Sequence, residues 1–217
     1  MSTICPFCKN KGPFGQFTDR QNRMLNKCER CYLVFVENRY LPEHNKEKLR
    51  YELHNNSIED EGYVQFLMQA IEPALMFLNH KAKGLDYGCG PSPTLSQLLV
   101  QKGYTCKNHD PLFFPEFPEG PFDFIFATEC FEHFFDPAKE MERIILLLKT
   151  HAYLIVMTSL WHNSTNFANW YYTQDYTHVS FFHENTFAYI AKKYGFEIVF
   201  TYHKRIIILK KEGRSLK

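Results

Sequence analysis

The sequence predicts an α/β fold: a mostly parallel sheet covered by helices, preceded by a small cysteine-rich module. From about residue 83 onward, short β-branched or aromatic runs alternate with helical runs, as in a parallel sheet with helices on its faces. Four of the seven cysteines lie before residue 39, in a polar and turn-rich stretch. The 217 residues, 45% of them hydrophobic, suffice for one α/β domain and a small appendage. We therefore expect three stretches, over 1–38, 39–82 and 83–217.

The first stretch carries two C-x-x-C pairs, Cys5 with Cys8 and Cys28 with Cys31. Two such pairs supply four thiolates to one tetrahedral ion, which predicts a zinc ribbon with a structural metal, because four cysteines leave no open coordination position. Disulfides, free thiols or a redox dithiol are the alternatives. The N-terminus lacks a signal-peptide pattern, so we expect a reducing, cytoplasmic location.

The second stretch is predicted to be helical. Its run "EGYVQFLMQAIEPALMFLNH" spaces apolar residues three and four apart, and Pro73 is expected to kink or break the helix. The apolar face comprises Tyr63, Phe66, Leu67, Ala70, Ile71, Leu75 and Leu78.

The third stretch contains six predicted strands, of which the last two form a closing antiparallel hairpin over about 196–211. In chain order they are "GLDY", "YTCKNHD", "FDFIFAT" (122–128), "AYLIVMT" (152–158), "FEIVFTY" and "RIIILKK". No apolar run approaches the roughly 18 residues of a membrane span, so no transmembrane helix is expected.

Three helices are expected between these strands. Ser92 is interpreted as the N-cap of the first, with Pro93 at its first helical position and Gly103 at its end. Asp136 begins the second helix, and the third runs near 185–194.

A glycine turn follows the first of these strands, where Asp86, Gly88 and Gly90 form the pattern D-x-G-x-G. Glycines at a strand-to-helix turn let the backbone approach a ligand closely, and the helix N-terminus favours a negative group. The dinucleotide fingerprint needs a third glycine, where this chain has Ser92 and Pro93. A tight turn without a ligand is the alternative.

Several segments in order resemble class I S-adenosylmethionine-dependent methyltransferases over about 83–211. They are "LDYGCGPSPTLSQLL", "NHDP", "FDFIFATECFEHFFDPAKEMERIILLLK", "HAYLIVMTS" and "GFEIVF". The resemblance implies a Rossmann-like methyltransferase sheet ending in an antiparallel hairpin. It also implies S-adenosylmethionine as cofactor, beside the Zn²⁺ that the cysteines predict.

The resemblance assigns cofactor-binding residues by motif position. The backbone from Gly88 to Gly90 would lie under the methionine part of the cofactor, and Asp86 would hold its ammonium group. Asp110, followed by Pro111, would accept hydrogen bonds from the ribose hydroxyls. Further along the chain, Thr128 and Glu129 would flank the cofactor near its methyl group.

A helix before the sheet often caps the cofactor in methyltransferases of this build. Tyr51 and His54 lie three apart on one predicted helical face, and Tyr63 follows. We therefore interpret Tyr51, His54 and Tyr63 as a lid that excludes water, the alternative being a solvated linker.

The chain departs from the family pattern after Asp110. Only residues 111–121, "PLFFPEFPEGP", separate it from the central strand, and their prolines exclude a regular helix. We expect the usual helix and third strand to be missing or reduced to a loop. Leu112, Phe113 and Phe114 would then pack on the adenine or cover the flank of the sheet.

Candidate catalytic residues are Glu129, His133 and His178. Each follows a predicted strand or precedes the last helix, where it could face the acceptor and take its proton; a purely structural role is the alternative for each. Trp161 and His162 are further candidates for the acceptor pocket.

Three functions remain open. The first is methyl transfer to a small polar acceptor, such as a sugar-like molecule or another metabolite. The second is methylation of RNA bases, with the locally basic zinc ribbon binding the RNA. The third is a non-catalytic zinc-binding interaction module. The ribbon's charged residues are the basic Lys9, Lys11, Arg20, Arg23, Lys27 and Arg30, and the acidic Asp19 and Glu29.

Overall fold

The computed structural model describes residues 3–52 and 56–213. The N-terminal part forms β1 (Phe14–Thr18), β2 (Met24–Cys28) and β3 (Val34–Val36), followed by α1 (His44–Glu52) and α2 (Glu61–Leu75). The remaining elements are β4 (Lys83–Tyr87), α3 (Thr94–Gln101), β5 (Thr105–His109), β6 (Phe122–Thr128), α4 (Pro137–Leu147), β7 (Leu148–Met157), β8 (Ser180–Phe181), α5 (Glu184–Tyr194), β9 (Phe196–Tyr202) and β10 (Ile206–Lys211).

The larger sheet has six strands in the order β5-β4-β6-β7-β10-β9. Strands β5, β4, β6 and β7 are parallel, whereas β10 is antiparallel to both β7 and β9. The central strand β6 is buried on both faces, with Phe124, Ile125, Phe126 and Ala127 fully inaccessible. Continuous apolar runs of this kind are typical of parallel strands covered by helices. The predicted fold class is confirmed.

The predicted loss of the third strand is also confirmed. Residues 111–121 form turns and irregular backbone, with one isolated bridge between Asp110 and Phe114. Strand β5 therefore forms one edge of the larger sheet.

The helix boundaries differ from the sequence-based expectation at two points. Helix α3 begins at Thr94, and Pro93 rather than Ser92 is its N-cap, because the ψ angle of Pro93 is 62° and lies outside the helical range. Pro73 lies in the last turn of α2, which continues to Leu75. Asp136 caps α4 as expected, accepting a hydrogen bond from the backbone N–H of Lys139.

The smaller sheet joins the N-terminal module to the rest of the chain. Its order is β1-β2-β3-β8, so a strand from the C-terminal half completes the ribbon. Phe7, between the first two cysteines, is fully buried and packs edge-on against Tyr189 of α5, with ring centroids 5.5 Å apart. The cysteines share one hydrophobic cluster with residues of the larger sheet.

Arg23, which immediately precedes β2, links the ribbon to the segment between β7 and β8 through hydrogen bonds. Its Nε lies 2.7 Å from Asp19 Oδ2, and both side chains are almost completely buried. Its two terminal nitrogens donate to the backbone carbonyls of Thr173, Tyr176 and His178. Arg23 is thus committed to internal hydrogen bonds and is not available for contact with RNA.

None of the helices in the described ranges combines the length and the apolar character that crossing a bilayer requires.

Replacing Arg23 with alanine is expected to destabilise the fold by about 3–5 kcal/mol, because Asp19 and three carbonyl groups lose their buried partner. Urea unfolding of the purified variant measures this change. Arg39→Ala is the matched control, since Arg39 forms an exposed ion pair with Glu37 and should contribute about 1 kcal/mol or less. Equal losses in the two variants would contradict the structural role of Arg23.

Candidate active site

A cavity of about 840 Å³ opens at the carboxyl ends of β4, β5 and β6. Open α/β sheets bind ligands at this edge. Its walls include the glycine turn after β4, the segment after β5, the segment after β6, and parts of α1 and α2. Among the lining residues are the candidate site residues Tyr51, Tyr63, Asp86, Gly88, Gly90, Asp110, Pro111, Thr128, Glu129, His133 and His178. His54 lies outside the described residues.

The glycine turn contains two residues with positive φ angles, a backbone conformation that glycine adopts without strain. Gly88 and Gly90 have φ angles of 76° and 66°, and the N–H of Gly88 donates to the carbonyl of His109 at 2.8 Å. A side chain at Gly88 would place its Cβ 2.6 Å from that of Cys130. A Cβ at Gly90 would meet nothing within 4 Å, so this glycine leaves open space beside the backbone.

Asp86 presents a buried carboxylate to the cavity. It is 2% exposed, and its Oδ1 has no hydrogen-bond partner among the described residues. The pKa of Asp86 is raised to about 7, chiefly by burial and also by the charge of Asp110, against the lowering effect of a backbone hydrogen bond from Ser96. A buried, unpartnered carboxylate oxygen fits a cationic group such as the ammonium of S-adenosylmethionine.

Asp110 holds two turns together. Its Oδ2 accepts from the backbone N–H of Gly90 at 3.1 Å, and its Oδ1 accepts from the N–H groups of Leu112 and Phe113. A carboxylate has about four acceptor positions, so one is left for a ligand hydroxyl. Of the apolar residues expected to contact adenine, Leu112 lines the cavity.

Glu129 lies at the end of the central strand with a φ angle of 48°, and its N–H donates to the carbonyl of Met157. Its Oε1 is buried and has no hydrogen-bond partner among the described residues. Burial raises the pKa of Glu129 well above its ordinary value. The negative charge of Glu132 raises it further, against the opposing charge of Arg205.

The structure brings His133 and His178 together, with ring centroids 4.8 Å apart. Each Nδ1 lies within hydrogen-bond distance of a backbone carbonyl, that of Thr177 at 3.1 Å and that of Tyr172 at 2.7 Å respectively. Because a carbonyl only accepts, both Nδ1 atoms carry the hydrogen and both Nε2 atoms keep a lone pair. Burial lowers the pKa of each histidine to about 4, so both are neutral at pH 7.

Glu132 is a site residue that the sequence reasoning missed. It is completely buried and lines the cavity. Thr158 and Tyr172 each donate a hydroxyl hydrogen bond to its carboxylate. The E-x-x-E-H spacing after the central strand was the available signal, since it places Glu129, Glu132 and His133 on one short turn.

Helix α1 closes one side of the cavity. Tyr51 packs edge-on against His133, with ring centroids 5.1 Å apart. Arg50 forms an ion pair with Asp175 at 2.9 Å, and the hydroxyl of Tyr176 donates to the carbonyl of Lys46. The segment that carries His178 is therefore fastened to both α1 and the ribbon.

Trp161 and His162 do not line this cavity. Trp161 is buried in a separate hydrophobic cluster beside Phe167, and His162 is exposed and paired with Ser164. These two residues, at the beginning of the segment after β7, therefore lie outside the cavity, whereas His178 later in the same segment lines it.

The four N-terminal cysteines converge on one point. Their sulfur atoms lie within 4.8 Å of one another, with Cys5 to Cys31 at 3.6 Å and Cys8 to Cys28 at 3.4 Å. A tetrahedral zinc ion with Zn–S bonds of about 2.3 Å requires S···S separations of about 3.8 Å, so the arrangement fits zinc.

Both cysteine pairs sit in the same local backbone turn. The N–H four residues after the first cysteine of each pair, at Lys9 and at Tyr32, donates to that cysteine's carbonyl. Both of these residues have φ angles of 59°. The repeated turn directs two sulfur atoms from each pair toward the shared centre.

Comparison with known proteins agrees with the fold. A family profile described as a methyltransferase domain matches residues 59–200, so the chain belongs to this family of S-adenosylmethionine-dependent methyltransferases. No curated protein sequence matches the chain.

Solved structures share the fold at low sequence identity. A proposed sarcosine dimethylglycine methyltransferase from Galdieria sulphuraria aligns with a TM-score of 0.54 at 14% identity, over 70% of this chain and 87% of that one. An O-methyltransferase family protein from Burkholderia thailandensis aligns with a TM-score of 0.52 at 12% identity, over 77% and 64%. The complex of the Haloferax volcanii Trm112 methyltransferase activator with a proposed methyltransferase aligns with a TM-score of 0.52 at 12% identity, over 72% of this chain and 94% of that one.

The raised pKa of Asp86 predicts a pH-dependent stability. Because its folded pKa of about 7 exceeds the ordinary value of 3.8, its contribution favours folding below about pH 4 and is lost as the pH rises toward 7. Asp86→Asn removes the charge. The variant is therefore expected to exceed the ligand-free parent in stability by a few kcal/mol above pH 7, with a difference that shrinks toward pH 4.

Urea unfolding at several pH values measures this difference. Asp123→Asn is the control, because its effect on stability should have the opposite sign. Hydrogen bonds from Lys149 and from the backbone of Lys83 outweigh partial burial and lower the pKa of Asp123. A pH-independent difference between Asp86→Asn and the parent would contradict the assignment of a buried, unpaired carboxylate.

Proposed function

We propose that the chain transfers a methyl group from S-adenosylmethionine to a small polar acceptor in this cavity. The observation that carries the proposal is the buried, unpartnered oxygen of Asp86 beside an open glycine turn. Asp86 would bind the ammonium of the cofactor, and the backbone at Gly88 and Gly90 would support its methionine part. The remaining acceptor position of Asp110 suits a ribose hydroxyl.

The acceptor side of the cavity is proposed to lie around Glu129, His133 and His178. S-adenosylmethionine supplies an electrophilic methyl group, which the nucleophile's lone pair attacks while the methyl–sulfur bonding pair returns to sulfur. The carboxylate of Glu129 would accept the proton that a neutral nucleophile loses. The two histidines, through their unprotonated Nε2 atoms, would contribute lone pairs that bind and orient the acceptor. Tyr51, packed on His133, would help exclude water from this region.

The size and charge of the cavity favour a small molecule over RNA. A volume of about 840 Å³ is within the range of small-molecule sites, which span roughly 300–1,000 Å³. Seven acidic residues line the cavity against two basic ones, Lys139 and Arg143. Such a lining repels a phosphate backbone and favours a neutral or cationic acceptor. A small-molecule acceptor is also in keeping with the name of the Galdieria sulphuraria structure.

The ribbon is proposed to hold a structural Zn²⁺ ion through Cys5, Cys8, Cys28 and Cys31. The four buried sulfurs satisfy the coordination of the ion and leave no position for a substrate. Since these cysteines share a hydrophobic cluster with the larger sheet, the ion would stabilise the docked ribbon.

The cofactor assignment predicts weaker binding when Asp110 is changed. Asp110→Asn keeps one acceptor oxygen for the turn and loses the charge, and we expect at least about tenfold weaker binding of S-adenosylmethionine and S-adenosylhomocysteine. Isothermal titration calorimetry measures both affinities. The control is Glu116→Gln, an exposed acid in the following loop. Unchanged affinity in Asp110→Asn, or no binding by the folded parent, would contradict the proposal.

The zinc assignment predicts a loss of one zinc equivalent per chain in Cys8→Ser, together with a marked loss of stability. Elemental analysis and urea unfolding measure the two effects. Cys106→Ser is the matched control, since Cys106 is half-buried on β5, away from the cluster, and should retain the metal. Equal zinc contents in the two variants would show that the four cysteines do not bind the ion.

A further inference from the structure

A second cluster of potential metal ligands lies inside the cavity, apart from the cysteines. One ligand atom from each of Glu132, His133 and His178 lies within 4.8 Å of the other two. Ligands at about 2.1 Å from a common ion lie within about 4.2 Å of one another, so small side-chain adjustments suffice to bring all three onto one ion.

The two histidines are already oriented as metal ligands. Their Nδ1 hydrogens are held by the carbonyls of Thr177 and Tyr172, which leaves both Nε2 lone pairs for another partner. Histidines that bind metals typically donate the other ring N–H to a carbonyl or carboxylate in this way. The His178 segment is itself fixed by Arg23, so this orientation is built into the fold.

The carboxylate of Glu132 is likewise held in a fixed orientation by hydrogen bonds from neighbouring residues. Thr158 and Tyr172 donate one hydrogen bond to each of its two oxygens, which leaves acceptor positions on both. A completely buried carboxylate requires a compensating charge or strong hydrogen bonds. The buried Oε1 of Glu129, on the same cavity wall, also has no hydrogen-bond partner among the described residues. A bound cation would compensate both carboxylates.

We propose that His133 Nε2, His178 Nε2 and a carboxylate oxygen of Glu132 bind a divalent first-row transition-metal ion within the cavity. Two imidazoles and one carboxylate suit zinc, iron or cobalt better than magnesium or calcium, which prefer oxygen ligands. Three protein ligands leave positions open, in contrast to the closed cysteine site. Because all three ligand residues line the cavity, an open position would be available to an oxygen atom of the acceptor, which favours an acceptor that carries a hydroxyl group.

The metal site stands independently of methyl transfer, whereas the hydroxyl acceptor rests on the proposed function. Cobalt(II) is the probe, because its visible spectrum distinguishes the two sites. Protein that holds one zinc equivalent per chain, at the cysteines, is titrated with CoCl₂ and is expected to bind one further ion per chain, with weak ligand-field bands and no thiolate-to-cobalt charge-transfer band. The absence of a further ion, or a thiolate spectrum, would overturn the proposal.

His133→Asn and His178→Asn are the informative variants. An asparagine amide can replace the Nδ1 donor toward the backbone carbonyl but removes Nε2, which separates the metal role from a packing role. Since loss of an outer hydrogen-bond partner already costs about 10–100-fold in metal affinity, each variant should bind cobalt at least about tenfold more weakly. His80→Ala, at an exposed turn, is the control. Unchanged cobalt affinity in the folded asparagine variants would overturn the site.

Two measurements on the same cobalt-loaded protein test the oxygen ligand at the metal and the methyl-transfer function separately. Acetohydroxamate, a bidentate oxygen ligand, is expected to shift the ligand-field bands, and an unchanged spectrum would overturn the oxygen-ligand part of the inference. Calorimetry with S-adenosylhomocysteine tests the proposed function independently. Binding of cobalt without binding of S-adenosylhomocysteine would overturn the proposal of methyl transfer and leave the metal site in place.

Discussion

The arrangement of the site depends on the guanidinium of Arg23. It is buried against Asp19, and its remaining nitrogens hold three carbonyl groups of the segment between β7 and β8. Arginine suits this position because its planar group presents several donors in fixed directions, which a lysine ammonium does not. One of the carbonyls belongs to His178, so the ribbon sets the position of a cavity residue without lining the cavity itself.

The cavity concentrates negative charge where the fold could have placed apolar contacts. Asp86, Glu129 and Glu132 all line the cavity, and burial is the main cause of the raised pKa values of Asp86 and Glu129. Buried carboxylates without partners reduce the stability of the ligand-free protein. A sulfonium cofactor, with its ammonium group, and a metal cation would each relieve part of that cost. If the site binds these ligands as proposed, the fold gives up stability in the ligand-free state in return for affinity toward positively charged ligands.

Local sequence patterns were sufficient to predict most of the framework. Apolar runs located the strands, and D-x-G-x-G located the turn at Gly88. The short, proline-rich run 111–121 predicted that the usual helix and third strand are missing or reduced to a loop. These features depend on neighbouring residues, which periodicity and backbone preferences report directly. The start of α3 was misplaced by one position because Ser92 and Pro93 both suit a helix start, and only the ψ angle of Pro93 decides between them.

The features that escaped prediction are those made by residues distant in the chain. His133 and His178 lie far apart in the sequence, and the segment that carries His178 is held in place by Arg23 and Arg50. Glu132 gains its role from Thr158 and Tyr172, which no local pattern connects to it. Trp161 was expected in the pocket from its position after a strand, but the course of the following loop placed it in another cluster.

The pairing of β3 with β8 has a consequence for the order of folding during synthesis. The cysteines and the first three strands are synthesised well before β8, which completes their sheet. Until then Leu25, Val34 and Val36 lack the Phe167, Tyr172 and Phe181 side chains that cover them. The nascent ribbon therefore exposes an apolar face until β8 has been synthesised, and binding of a metal ion by the cysteines before that point would protect it from aggregation.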